Sequence, residues 1–125
     1  MTVGRVGDVG AAGEEVVRVD RQTPLGNPYT LPSSRHEYRG EREAACAAYL
    51  RLLAETLGAS GEVSAARVAE IGRERGYVGE VRAWDCAGAR AQMAALAACR
   101  GRVRLCCHCA PRQCHAEAIR DVLLG

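Results

Sequence analysis

"RVRLCCHCAPRQCHAEAIRDVLL", Arg102 to Leu124, contains a strand, a turn and a helix in immediate succession. Arginine alternates with valine and leucine from Arg102 to Leu105, the two-residue period of an extended chain with one face buried. Pro111 sets a turn. From about Cys114 the apolar positions change to helical spacing, with Ala118, Ile119, Val122 and Leu123 on one side. A strand passing directly into a helix is the building unit of an α/β layer.

Upstream the same alternation of elements recurs. "EVVRVD" (15–20) is short and β-branched, and "RQTPLGNPY" (21–29) follows it as a shaped loop. Pro28 excludes Asn27 from the helical region, and Gly26 reaches backbone angles closed to other residues. "EREAACAAYLRLLAETL" (41–57) puts Ala45, Tyr49, Leu52, Leu53 and Leu57 on one stripe, stopped by Gly58. A second helix starts after a Ser64 cap, carries Val68 and Ile71 inward and ends at Gly76. "YVGEVRAW" (77–84) reads as a strand, and "GARAQMAALAAC" (88–99) as a helix stopped by Gly101. The expected fold is a small, three-layer, Rossmann-like α/β domain with a mostly parallel sheet. Residues 15–125 would form it, behind a flexible leader at 1–14 whose glycines and acids suggest a frayed end.

Composition narrows the class of protein. The 125 residues suit one domain. With no phenylalanine and one tryptophan, the large apolar groups are mainly valine and leucine, so a thin core packed through alanine is expected. The basic residues are all arginine and the net charge is only +2, without a dense basic run, so charge gives little support for nucleic-acid binding. No apolar run approaches the roughly 20 residues of a membrane span, and the N-terminus lacks the apolar centre of a signal peptide. Seven cysteines cannot all pair within the chain. Nothing marks it for an oxidising compartment, so an intracellular, cytoplasmic protein with reduced thiols is expected.

The chemistry concentrates at the last strand-to-helix junction. Cys107 and Cys109 are two apart and share a face if the strand continues, while Cys114 and His115 follow across the Pro111 turn at a helix start. In open α/β sheets ligands collect at this carboxyl end of the strands. Three readings stand side by side. Cys107, Cys109, Cys114 and His115 could hold zinc, which takes thiolate and imidazole in a tight tetrahedron. Alternatively Cys114 is a catalytic thiolate favoured by the helix N-terminus, with Cys109 as resolving thiol or His115 as proton carrier. In the third reading the cysteines simply fill space, the role assigned to Cys46, Cys86, Cys99 and Cys106, with His108 a packed or surface residue. The zinc deaminase pattern H-x-E with P-C-x-x-C does not fit: His36 and Glu37 are adjacent, and Pro111 is three before Cys114.

"TPLGNPY", "GEREAACAAYL" and "LCCHCAPRQCHAEAI" resemble, in that order, the blocks of the family called domain of unknown function 4326. Gly26, Asn27, Pro28 and Tyr29 match its first block, Arg42 and Tyr49 its second, and Cys107, Cys109, Pro111, Cys114 and His115 its third. The resemblance covers 16–57 and about 93–124. It departs at His108, where the family has tryptophan, and over 58–92, which look longer than the family's connection and form a possible lineage-specific insertion. It implies a shared α/β fold and site, without a reaction.

In a parallel sheet, the loops after the first and last strands open on one edge. Asn27, Arg42 and the Cys-His cluster would then line one pocket, with Asn27 orienting and Arg42 gripping a nucleotide-like or other anionic ligand. Each has a plainer role: Asn27 as turn former, Arg42 as solvated helix charge, Tyr49 as core. Two function classes follow, a metal- or thiol-dependent site for such a ligand and a non-catalytic, zinc-stapled interaction domain.

Overall fold

The computed structural model describes residues 1–5, 10, 14–20, 22–30, 39–58, 62–99, 102–107 and 115–124. Strands β1 (Thr2–Arg5) and β2 (Glu14–Arg18) come first, then helices α1 (Arg39–Gly58), α2 (Ala65–Glu74) and α3 (Cys86–Ala98), and last strand β3 (Arg102–Cys107) and helix α4 (His115–Leu124). The strands form a parallel sheet in the order β1-β3-β2. The fold is therefore α/β, as the 102–124 stretch predicts.

Register explains which face is buried. Val3, Leu105 and Val17 align in one row, with Val103 next along β3, and all belong to the core or pack against it. Thr2, Arg104 and Val16 form the opposite row, where Thr2 and Val16 are exposed and Arg104 is paired to Glu14 at 2.8 Å. Helix α4 packs on β1 and β3, α1 on α4, and α2 and α3 on α1, joining a single apolar cluster. Among the described residues no helix forms a third layer over the Thr2–Arg104–Val16 row. On this face Arg104 is held in its pair with Glu14, while Cys106, two residues on, is fully buried.

Helix α1 is the spine. Ala45, Ala48, Tyr49, Leu52, Leu53 and Thr56 are all buried, at spacings of three and four, and each buried leucine contributes roughly 1.5–3 kcal/mol. Leu57, expected on this stripe, is 37% exposed. Thr56 takes the inward place because its Oγ1 accepts from Trp84 Nε1 at 3.1 Å. Ser64 caps α2, accepting from Arg67 N at 3.1 Å, and Gly76 ends the segment with φ +84°. That left-handed angle is open to glycine and costly for other residues.

Two expectations are corrected. Thr2–Arg5, assigned to the leader, is a sheet strand. Its own pattern is weak, and it is extended because β3 offers it a ladder from Arg104 to Cys107. Residues 77–84 contain no strand, only an isolated antiparallel bridge between Tyr29 and Val81. The Tyr77 hydroxyl lies 2.5 Å from the carbonyl oxygens of both Thr30 and Glu80, which folds the segment back on the 28–30 loop. Helix α3 begins two residues earlier than its sequence suggests, because Asp85 caps it by accepting from Gly88 N at 2.9 Å. Gly101 lies outside the described residues.

Candidate functional site

Strands β2 and β3 run in the same direction, so their following segments leave one edge of the sheet. The ladder continues past β2, with Val19 N donating to Cys106 O at 2.9 Å. At this edge His115, the first residue of α4, is buried, and its Nε2 bonds the Val19 carbonyl oxygen. A carbonyl can only accept, so Nε2 carries a proton and donates this bond. This bond orients the imidazole.

Tyr49 joins the histidine to the early loop. Its ring meets His115 edge to face, with centroids 5.0 Å apart and planes at 71°, and meets Trp84 at 5.9 Å and 90°. Its hydroxyl donates to Leu25 O at 2.6 Å. Burial holds the Tyr49 phenol far above its ordinary pKa, because charge on a dry phenolate would be costly. One core side chain thus fastens three segments: 22–30, the approach to α3, and the start of α4.

The early loop is built as expected and its asparagine is occupied. Asn27 Oδ1 accepts from Tyr29 N at 2.9 Å and Nδ2 lies 3.5 Å from Ala45 O, so this side chain shapes the loop and ties it to α1. Arg42, one turn before Ala45, is buried rather than a solvated helix charge. The core role of Tyr49 holds.

Asp20 is a further buried charge at this edge, one that no motif in the sequence singles out. It is 3% exposed at the end of β2, paired with Arg18 through its carboxylate, and its carbonyl accepts from Thr23 N at 3.0 Å and Thr23 Oγ1 at 2.9 Å. Four polar or charged side chains are buried among the described residues: Asp20, Arg42, Thr56 and His115. Asp20 and His115 flank the carboxyl edge of the sheet directly. An acid ending a β-branched run just before a proline-glycine loop was the available signal.

Of the proposed sulfur ligands, Cys109 and Cys114 lie outside the described residues, as do His108 and the side chain of Cys107. Among the described residues no three His, Cys, Asp or Glu side chains converge to hold a metal. Cys86 and Cys106 are buried, in keeping with a packing role, whereas Cys46 and Cys99 are partly exposed. Cys99 Sγ lies 3.4 Å from Ala95 O.

A second feature opens beside this edge. A cleft of about 320 Å³ separates the 22–28 loop from residues 82–85, lined by Thr23, Asn27, Arg82 and Asp85 among others. A third lies at the corner of α1 and α2, where Arg67 pairs with Glu55, Glu70 and Glu74. The bond from Arg67 to Glu55, aided by one from Arg51, holds the Glu55 carboxyl down at about 2.

Fold and edge together define a small α/β domain with a parallel sheet and a buried histidine at a strand-to-helix junction. The chain belongs to the family described as Domain of unknown function (DUF4326), whose model matches residues 8–125. Comparison with curated proteins and with solved structures gives no match. No helix among the described residues is long and apolar enough to cross a membrane.

Proposed function

We propose that the β3–α4 junction is a zinc-dependent site, with Cys107, Cys109, Cys114 and His115 as ligands, serving a nucleotide-like or other small anionic molecule. One observation carries the reading: the buried His115 ring gives its Nε2 proton to the Val19 carbonyl. Histidines that ligate metals characteristically donate their other ring N–H to a carbonyl or carboxylate, which fixes the tautomer and raises the basicity of the ligating nitrogen. Here that nitrogen is Nδ1. Three cysteines lie within eight residues of it along the chain, and thiolate with imidazole is the donor set zinc prefers.

At such a centre His115 orients and holds, Val19 fixes its ring, and Tyr49 excludes water from one side. The test is metal content of protein purified without chelator, for the wild type and for Cys109→Ser and Cys114→Ser. About one zinc per chain, lost in both variants while circular dichroism keeps the fold, is the expected result. Zinc and fold lost together would make the metal a staple without chemistry. A metal-free wild type, with Cys114 alkylated selectively, would overturn zinc in favour of a thiolate centre.

A further inference from the structure

The cleft between the 22–28 loop and residues 82–85 has no assigned role, and its construction is that of a preformed pocket. Its base is sewn shut by backbone bonds: Arg82 N donates to Pro28 O at 2.8 Å, and Thr30 N to Glu80 O at 3.4 Å. The loop wall is fastened from behind, where Leu25 O takes the Tyr49 hydroxyl and Leu25 N donates to Gln92 Oε1 at 3.2 Å. Gln92 Nε2 in turn donates to Arg18 O at 3.1 Å, tying α3 to the end of β2. The opposite wall leans on the same tyrosine through Trp84. A ligand entering walls fixed in this way meets little ordering cost, which is what makes a cleft useful for binding.

The lining states the chemistry. Arg82 is exposed, and like those of Arg73 and Arg75 its guanidinium makes no ion pair or hydrogen bond among the described residues; unlike those two it lines the cleft. Its planar fork suits a phosphate. Asp85 is fixed by its cap bond to Gly88 N through Oδ1, leaving its second oxygen to accept from a hydroxyl. The volume, about 320 Å³, falls at the small end of the roughly 300–1,000 Å³ of small-molecule pockets.

We infer that this cleft binds a small phosphorylated, hydroxyl-bearing molecule, with Arg82 taking the phosphate and Asp85 a hydroxyl. The inference relocates the anion grip from Arg42 to Arg82. It extends the ligand part of the proposal above and does not depend on the metal. Tyr49 connects the two places, since it touches His115 with one edge and supports both cleft walls.

Trp84 is the chain's one tryptophan and stands between two lining residues, so its fluorescence reports the cleft. Titration of the full chain with ribose 5-phosphate and with inorganic phosphate should give a saturable change, and ribose alone a much weaker one. Arg82→Ala should weaken phosphate-dependent binding by about tenfold or more, the usual consequence of losing a charge-assisted bond. Arg75→Ala, exposed at the far end of α2, should leave it unchanged. No saturable response, equal responses to ribose and its phosphate, or equal affinity in Arg82→Ala would each overturn the inference. Zinc measured on the same samples separates its failure from that of the metal site.

Discussion

The rings of Tyr49 and His115 meet edge to face with their centroids 5.0 Å apart, joining the middle of α1 to the first residue of α4. The same tyrosine supports Leu25 through its hydroxyl, so its two ends serve different purposes and can be separated. Tyr49→Phe keeps the ring contacts and leaves the Leu25 carbonyl unsatisfied, at a cost of about 1–3 kcal/mol. Tyr49→Ala also opens a cavity and should cost about 3–5 kcal/mol. Urea unfolding of the pair checks the order.

At His115 the conservative replacement distinguishes metal ligation from packing. His115→Gln retains a terminal N–H to offer Val19 but no ring nitrogen for zinc, whereas His115→Ala loses both. Zinc content should therefore fall in both variants, while in chelator the Gln variant should be the more stable by about 1 kcal/mol. Equal stability of the two in chelator would show that the Val19 bond contributes nothing.

Acid should loosen the corner of α1 and α2. Hydrogen bonds from Arg67, then from Arg51, depress the Glu55 carboxyl from 4.5 to about 2. A depressed folded pKa means stability that is fully present above the unfolded value and is lost as pH falls from about 4.5 towards 2. Glu55→Gln should flatten that limb of the stability-pH curve, leave the plateau above pH 6 lower, and reduce the salt dependence. Urea midpoints between pH 7 and about pH 2, at low and at high salt, measure all three.

Gly72 lies inside α2, where alanine is ordinarily the better helix former by up to about 1 kcal/mol. A Cβ there would stand 2.9 Å from Tyr29 Cε1 and 3.4 Å from Tyr77 Cδ1. The Tyr29 ring cannot give way easily, since its hydroxyl is held by Val68 O at 2.6 Å and its face by Tyr77 at 5.4 Å. Gly72→Ala should thus destabilise by about 1–3 kcal/mol against the propensity gain, readable as a lower thermal midpoint.

Local signals carried much of the fold. The arginine-leucine alternation of β3, the apolar stripe of α1, the Ser64 cap and the Gly76 stop each act within a few residues, and each is where the sequence puts it. The strand Thr2–Arg5 and the loop 77–84 lack such local signals for a common reason. The first is extended only because β3 lies beside it, and the second is bent by Tyr77 reaching back to Thr30, 47 positions away. At the site, the TPLGNP loop and the helix start at His115 were legible because turn and breaker residues are local. The burial of Arg42, the part played by Asp20 and the vacant fork of Arg82 depend on neighbours remote in sequence, and no spacing rule reports them.

The order β1-β3-β2 has a consequence for how the chain matures. Among the described residues, both early strands bond only to the central one, and that one is synthesised after residue 101. Until then the ribosome would display two unzipped ribbons and three helices without a floor. Assembly must wait for β3 and then close over long separations, which slows it. The interval leaves Val3 and Val17, which the folded sheet packs against the core, open to chaperones or to aggregation.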